Sequence, residues 1–301
     1  MVFYDEMYGL DAKKQSALAH YGAYQNWVKS YSPAAMDVKR AQADAAFRQV
    51  GITFAVYGDD AGTERLIPFD LIPRIIPSTE WATLQKGLIQ RVQAMNLFLH
   101  DIYHDQHIVK AGVVPAEQIY LNAQYRPHMQ GIDLVNNNYC HISGVDIVRA
   151  GQGEFYVLED NLRVPSGVSY MLEDRKMMMR LFPEAFSTMP IAPIEHYPDL
   201  LLETLRASAP MGVDEPNVVV MTPGMYNSAY FEHAFLAQQM GVELVEGKDM
   251  FVDDGLVYMR TTQGPQRVDV IYRRIDDDFL DPLVFRSDSG IGIPGLMSVY
   301  R

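Results

Sequence analysis

The pattern of apolar and polar positions predicts a helical N-terminal region, followed by strands and helices in alternation. Residues 1–50 carry aromatic residues among Ala, Gln and Lys, which is typical of helices. The β-branched and aromatic run at 51–57 predicts a strand. A long helix is expected from Ser78, where S-T-E-W resembles a capping sequence. The apolar stripe of that helix recurs every three or four residues: Leu88, Val92, Met95, Leu99 and Ile102.

The middle of the chain predicts a β-hairpin and a further helix. Strands are expected at about 142–149 and 154–161, and the glycines of the intervening AGQG suit a tight turn. A methionine-rich helix is expected at 168–181, with the cluster Met177–Met179 in the core against the hairpin. The six prolines within 183–216 indicate a connection around one short helix at 198–207.

The C-terminal segment has a different pattern. The run NVVVM at 217–221 is continuously apolar, as in a buried parallel strand. A helix is expected at 228–240, then the strand VELVE, and VDVIYRR at 268–274 supplies another strand. This order predicts a βαβ-like unit.

Together these patterns predict a mixed fold of the α+β or α/β class. A chain of 301 residues is long enough for two domains with a sizeable core. The change of pattern places the boundary near residue 215, so that one domain spans 1–215 and the other 216–301.

Composition narrows the possible partners and the compartment. A net charge of −13 argues against nucleic acid and anionic membranes, because both require clustered Lys and Arg. The single cysteine, Cys140, excludes an intrachain disulfide and is expected to be a packed residue. The acidic N-terminus lacks the features of a signal peptide, and no apolar run suggests a membrane span. A cytoplasmic protein is expected.

The stretch GVDIVRAGQGEFYVLEDNLRVPSGVSYM, which begins at residue 144, contains the candidate chemistry. If the hairpin turn centres on Gly151–Gln152, Asp146 lies opposite Val157. Side chains alternate along a strand, so Val157, Glu159 and Asn161 are expected to share one face. Asp146 would then lie diagonal to Glu159, within reach of a shared ion.

Two carboxylates and an amide oxygen are hard ligands, which suit Mg²⁺ or Mn²⁺ with phosphates completing the octahedron. The loop that follows, Arg163-Val164-Pro165-Ser166-Gly167, adds a cation and backbone N–H groups that could hold an anion, such as the γ-phosphate or the developing acyl-phosphate. An acidic hairpin at the surface fits the same pattern, and spacing alone leaves both interpretations open.

The motif E-D-N-L-R-V-P-S-G resembles the E-x-N…P-(S)-G signature of ATP-grasp ligases. The whole chain is similar to the circularly permuted ATP-grasp family related to glutathionylspermidine synthetase. The matching segments are FYDEMY (3–8), GITFAVY (51–57), RLIPFDLIPRII (65–76), GLIQRVQAMNLFLHDIY (87–103), VLEDNLRVPSGVSYMLEDR (157–175), SAYFEHAFLAQQMGVELVEG (228–247) and VDVIYRRIDDDFLDPLVF (268–285).

The resemblance implies a helical N-terminal region followed along the chain by an ATP-grasp-like hairpin and sheet, and then by a Rossmann-like domain from residue 217. It implies that Asp146, Glu159 and Asn161 hold the magnesium of Mg-ATP. The residues expected at the phosphate or acceptor side are Arg149, Arg163 and Ser166. Arg273 and Arg274 end a strand of the second domain; they either meet an anionic substrate or pair with Asp276–Asp278.

The activity that the resemblance implies is ATP-dependent ligation of a carboxylate to an amine through an acyl-phosphate. The expected substrates are small-molecule or peptide carboxylates and amines. Members of the family continue into a glycine-rich stretch and two strands whose lysines hold the nucleotide. The chain stops at Arg301, where that half should begin, so a fragment of a longer gene product is expected. The alternative is a non-catalytic scaffold or binding module derived from such an enzyme.

The segment HDIYHDQH supports a third hypothesis, a zinc hydrolase. His100 and His104 are spaced i, i+4, as in helical zinc pairs, and His107 follows. A zinc peptidase of that type has Glu after the first histidine, where this chain has Asp101. The histidines also lie off the apolar stripe, so the polar face of the helix is the favoured explanation.

Overall fold

The computed structural model describes residues 4–9, 18–55 and 64–300. It divides into two compact units. The split unit combines residues 1–75 with residues 166–300, and the inserted unit comprises residues 76–165. This division does not coincide with the sequence-based boundary near residue 215, because the N-terminal helices belong to the same unit as the C-terminal half.

In chain order, the helices are α1 Gly22–Lys29, α2 Pro33–Val50, α3 Ser78–Tyr103, α4 His107–Lys110, α5 Ala116–Tyr120, α6 Val168–Leu181, α7 Pro183–Thr188, α8 Tyr197–Arg206, α9 Tyr230–Met240 and α10 Leu296–Tyr300. The strands are β1 Thr53–Ala55, β2 Glu64–Leu66, β3 Gly144–Gly151, β4 Glu154–Asn161, β5 Val218–Met221, β6 Glu243–Val245, β7 Met250–Asp253, β8 Leu256–Thr261, β9 Gly264–Val268 and β10 Val270–Arg273.

One core of the split unit is aromatic and lies among α1, α2, α6 and α7. Phe47 and Phe182 are fully buried, and the ring of Trp27 meets that of Phe182 edge to face, with centroids 4.8 Å apart. The methionine-rich helix predicted at 168–181 is confirmed as α6. Met177 and Met178 of that helix are buried in this core of the split unit, whereas Met179 is exposed, so the expectation of a buried Met177–Met179 cluster is wrong for Met179.

The other core of the split unit lies on a three-stranded parallel sheet of order β10-β5-β6. The four residues of β5 are all buried, which explains the continuous apolar run there. Helix α9 connects β5 to β6, so the predicted βαβ unit is confirmed. The antiparallel sheet β7-β8-β9 contributes to the same core.

In the inserted unit, α3 begins at Ser78, as predicted, but Pro77 occupies the N-cap position and no side chain caps the helix. Ser78, the expected capping residue, is therefore the first residue inside the helix and does not occupy the N-cap position. Tyr103, the last residue of α3, stacks on Tyr125 with ring centroids 5.0 Å apart. The hydroxyl of Tyr103 accepts a hydrogen bond from the backbone N–H of Arg126. These contacts hold the start of the segment between α5 and β3 against the end of α3.

Within the described ranges, every helix is too short or too polar to cross a lipid bilayer.

Asp174, on α6, gives a pH-dependent prediction. Burial, assisted by the neighbouring charge of Glu173, raises the pKa of Asp174 to about 6. No hydrogen-bond donor reaches its Oδ1 in the described part of the chain. The charged carboxylate therefore lowers the free energy of unfolding. This loss of stability is complete above pH 6 and is absent below the unfolded-state pKa of about 4.

We expect Asp174→Asn to raise the free energy of unfolding by about 1–3 kcal/mol at pH 8 and to change it little at pH 4. Urea unfolding at both pH values measures this. Glu203→Gln, at an exposed position on α8, serves as the control and should change the free energy at neither pH. A gain of equal size at both pH values would contradict the account.

Candidate functional site

Strands β3 and β4 pair in antiparallel fashion in the inserted unit. The turn is formed by Gln152 and Gly153, and Gly153 has a φ of +72° that glycine adopts without strain. Asp146 lies directly opposite Glu159. The predicted register, with Asp146 opposite Val157, is wrong because the turn is one residue further along the chain and the strands contain bulges.

A β-bulge at Leu158 determines which side chains share a face. Ile147 pairs with Val157 and Asp146 with Glu159, so Leu158 is an extra residue in β4. The extra residue resets the alternation. Glu159 therefore projects with Asp146 on the exposed outer face, whereas Val157 projects on the opposite, half-buried face. The expectation that Val157 and Glu159 share a face is wrong for this reason.

The outer face carries the predicted ligand set. Asp146, Glu159 and Asn161 are all exposed there. The side-chain Nδ2 of Asn161 donates to Oε1 of Glu159 at 3.1 Å. Because this bond fixes the amide nitrogen, Oδ1 of Asn161 is the atom left for a cation. Two carboxylates and one amide oxygen thus lie together on one surface of the hairpin.

The inner face of the hairpin packs on α3 through two ion pairs. Asp160 accepts a bidentate hydrogen bond from Arg91, with Nη2 2.7 Å from Oδ2, and this guanidinium holds the pKa of Asp160 below its usual range. Nη2 of Arg149 is 2.7 Å from Oε2 of Glu80, and both side chains are nearly buried. Arg149 therefore does not join the exposed carboxylates, although the sequence placed it at the phosphate side.

An open groove of about 640 Å³ lies between α3 and this inner face. Its apolar lining includes Leu88, Met95, Ile147, Phe155 and Val157. The groove is on the opposite side of the hairpin from Asp146 and Glu159, so it is separate from the predicted metal ligands.

The donor set fits magnesium better than zinc. Within residues 4–9, 18–55 and 64–300, no group of three or more His, Cys, Asp or Glu side chains is arranged to hold a metal ion. Mg²⁺ is commonly bound through only one or two carboxylates, with water and phosphate oxygens completing the octahedron. The hairpin supplies that number of carboxylates.

The histidines around the end of α3 have structural contacts. The rings of His100 and His104 stack with centroids 4.3 Å apart, and Nε2 of His104 is 3.3 Å from a carboxylate oxygen of Asp133. Asp101 accepts hydrogen bonds from the backbone N–H and the ring of His107 and from the N–H of Ile108, and so caps α4. These contacts favour the polar-face interpretation over a zinc site.

Cys140 is buried, and burial raises the pKa of its thiol. Its backbone N–H donates to Oδ1 of Asn96 on α3. The packed residue that the sequence predicted is confirmed.

Arg163 and Ser166 belong to different units. In the inserted unit, the exposed Arg163 donates to Oε1 of Gln124 at 3.3 Å. In the split unit, Ser166 accepts a hydrogen bond of 2.8 Å from Nη2 of Arg274. Each of the two side chains is therefore oriented by a partner within its own unit.

One of the backbone N–H groups that were expected to hold an anion, that of Gly167, is already engaged. Oε2 of Glu232 accepts from the N–H of Gly167 at 2.7 Å and from that of Ser169 at 3.1 Å. A carboxylate of the chain itself therefore lies at the start of α6, and the expectation from sequence is corrected at Gly167.

Glu232 was missed by the sequence analysis, although a signal was present. It lies in AYFEHAFLA, where an acid interrupts a run of apolar residues that α9 buries. Arg273, the last residue of β10, pairs with Asp277, as one of the two hypotheses held, whereas the next residue, Arg274, pairs with Glu232.

Comparison with known proteins adds to this geometry. A sequence profile described as "A circularly permuted ATPgrasp" matches residues 73–301. An uncharacterised protein of Synechocystis sp. is 52% identical over 299 residues, which are 99% of this chain and 62% of that protein. A protein of Frankia casuarinae named "Putative glutamate--cysteine ligase 2-2" is 38% identical over 300 residues, covering 98% of this chain and 34% of that protein.

Among solved structures, a glutathione synthetase-like effector from Globodera pallida in its apo form superposes with a TM-score of 0.54. The identity is 14%, and the match covers 89% of this chain and 64% of that chain. This likeness supports the mixed α/β, ATP-grasp-like fold. The chain spans less than two thirds of the length of each of these proteins. Since the profile matches from α3 to the last residue and the hairpin carries the expected acids and amide, the chain belongs to the circularly permuted ATP-grasp family.

Proposed function

We propose that this chain is part of an ATP-dependent carboxylate–amine ligase, and that Asp146, Glu159 and Asn161 hold the magnesium of Mg-ATP. The observation that carries the proposal is the direct cross-strand pairing of Asp146 and Glu159 on one exposed face, with the Asn161 amide bonded to Glu159. Cross-strand partners have Cβ atoms about 5 Å apart, a distance that one ion with oxygen ligands can bridge.

In the proposed reaction, an oxygen of the substrate carboxylate would attack the γ-phosphorus of Mg-ATP, ADP would leave, and an acyl-phosphate would result. An amine would then attack the acyl carbon and lose a proton to solvent, phosphate would leave, and an amide C–N bond would remain. The chain contributes by positioning and by electrostatics. Asp146 and Glu159 place negative charge opposite the cation, and the exposed Arg163 supplies a positive charge for the transferred group. Ser166 is assigned to the phosphate or acceptor side.

Two features of related proteins support a ligase. The chain belongs to the circularly permuted ATP-grasp family, and the Frankia relative carries the name of a glutamate–cysteine ligase. The substrates of that relative are not transferred to this chain, and small-molecule or peptide carboxylates and amines are the class proposed. ATP and Mg²⁺, or Mn²⁺ in its place, are the proposed cofactors, and a cytoplasmic location fits them.

The test is phosphate release from Mg-ATP by the full-length gene product, with pools of amino acids, peptides and polyamines as substrates. We expect Glu159→Gln to lower the release by about 100-fold or more, because the metal loses an anionic ligand. Glu154→Gln, at the other end of the same strand, removes the same charge and should leave the release unchanged.

Unchanged release by Glu159→Gln would contradict the metal assignment. If no pool supports release and Mg-ATP does not bind, the ligase proposal fails and a non-catalytic binding module becomes the better explanation.

The bulge at Leu158 gives a prediction that does not depend on turnover. Glu159 and Asp160 are adjacent acids on opposite faces of the hairpin. We expect Glu159→Gln to weaken Mn²⁺ binding in the presence of ATP by about 10-fold or more, with little change in stability. Asp160→Asn should lower the free energy of unfolding by about 1 kcal/mol, since it loses the Arg91 ion pair, and should leave Mn²⁺ binding unchanged.

Electron paramagnetic resonance of free Mn²⁺ measures the first quantity and urea unfolding the second. If the two variants exchanged these effects, the assignment of faces would be wrong.

A further inference from the structure

Helix α6 of the split unit is capped by a carboxylate from a distant part of the chain. The N-cap residue, Gly167, has a φ of +120° and no side chain with which to satisfy the first N–H groups of the helix. Glu232 does so from α9. Its Oε2 accepts hydrogen bonds from the N–H groups of Gly167 and Ser169 and, at 2.9 Å, from Oγ of Ser169. Glu232 is 1% exposed, so these bonds are shielded from water.

Arg274 connects this cap to the parallel sheet. Its Nη2 donates to Oε1 of Glu232 at 3.0 Å and to Oγ of Ser166 at 2.8 Å. Nη1 donates to the hydroxyl of Tyr272 at 3.0 Å, and the backbone N–H donates to the carbonyl of Met221 on β5. The guanidinium is therefore fixed by the sheet on one side and holds Ser166 on the other.

The direction of the bond to Ser166 matters chemically. A guanidinium has only donors, so Oγ of Ser166 must be the acceptor. The hydroxyl proton of Ser166 is therefore not used in the bond to Arg274 and is available to another acceptor. Because Ser166 is exposed, the network presents this proton at the surface as an oriented hydrogen-bond donor.

A fully buried ion pair has a desolvation cost that often offsets its attraction, so stability alone is a weak reason for its presence. Here the side chains of Arg274 and Glu232 are 0% and 1% exposed. The hydrogen bonds described above join this pair either to the Ser166–Gly167 turn and the start of α6 or to the parallel sheet. The pair is therefore suited to fixing the conformation of that turn.

We propose that Glu232 and Arg274 are positioning residues, which hold the Ser166–Gly167 turn so that the hydroxyl of Ser166 donates to an anionic oxygen of the reacting substrates. The identity of that ligand rests on the proposed ligase function. The ordering of the turn does not rest on it.

The first test is a set of variants of the full-length gene product, assayed for phosphate release. Ser166→Ala should lower kcat by about 10- to 100-fold, since one donor is lost. Removing one charge of a buried pair risks unfolding, so the pair is neutralised as a whole by Glu232→Gln with Arg274→Met. The side-chain amide introduced at position 232 can still accept from Gly167, whereas the bond from Arg274 to Ser166 is lost.

We expect this double variant to lose as much kcat as Ser166→Ala. Adding Ser166→Ala to it should lower kcat by no more than about 2-fold, because both changes remove the same oriented donor. Arg286→Met serves as the matched control, since Arg286 forms an exposed ion pair with Asp288 in the same unit and should not affect turnover. If kcat of the triple variant instead fell by the product of the two separate fold-changes, the positioning role would be overturned.

The second test is amide hydrogen exchange at Gly167 and Ser169, which needs no turnover. The double variant should exchange these amides about 10-fold faster than the parent, because a neutral amide replaces the carboxylate that accepts from both. Unchanged exchange would overturn the proposal. If the parent protein releases no phosphate from any pool, the ligase proposal fails, and exchange alone then decides whether Glu232 and Arg274 order the turn.

Discussion

One extra residue in β4 determines the geometry of the candidate metal site. Regular alternation would place Glu159 on the same face as Val157, against α3, whereas the bulge at Leu158 turns it outwards beside Asp146. The next residue, Asp160, is thereby directed to α3, where Arg91 binds it. The same constraint thus supplies an exposed pair of carboxylates and a contact that holds the hairpin on its helix. Bulges commonly redirect side chains at functional sites, and this one separates two adjacent acids into different roles.

Charged groups in this chain have two distinct environments. Asp146 and Glu159 are exposed and lie beside a single amide, an arrangement in which their charge is available to a cation. Glu232 and Arg274 are buried and bonded to each other and to backbone groups, so their charge is used within the protein. The contrast explains why the N–H groups of Gly167 and Ser169, at the start of α6, are not available to a substrate anion. A carboxylate of the chain already satisfies them, and the serine hydroxyl is what remains exposed.

Much of the fold could be predicted from local patterns. The methionine-rich helix α6, the parallel strand β5 with its helix α9, and the long helix α3 all occur where periodicity and composition indicated. Asp146, Glu159 and Asn161 were also expected on one hairpin and lie there, although the predicted register was wrong. Arg149 was placed at the phosphate or acceptor side by family resemblance. Its burial against Glu80 could not be predicted from the sequence, because Glu80 is on another element.

Local patterns in the chain predict which elements form and that two carboxylates and an amide lie on adjacent strands, because helix and strand periods and turn residues act over short distances. Contacts between distant segments fix which face those side chains share, which arginines are buried in ion pairs, and that Glu232 caps α6. A bulge depends on how the partner strand and α3 accommodate an extra residue, and a buried ion pair depends on residues distant in sequence that meet only when the chain is packed. Such contacts leave no local pattern, except for the single acid within the apolar run of α9.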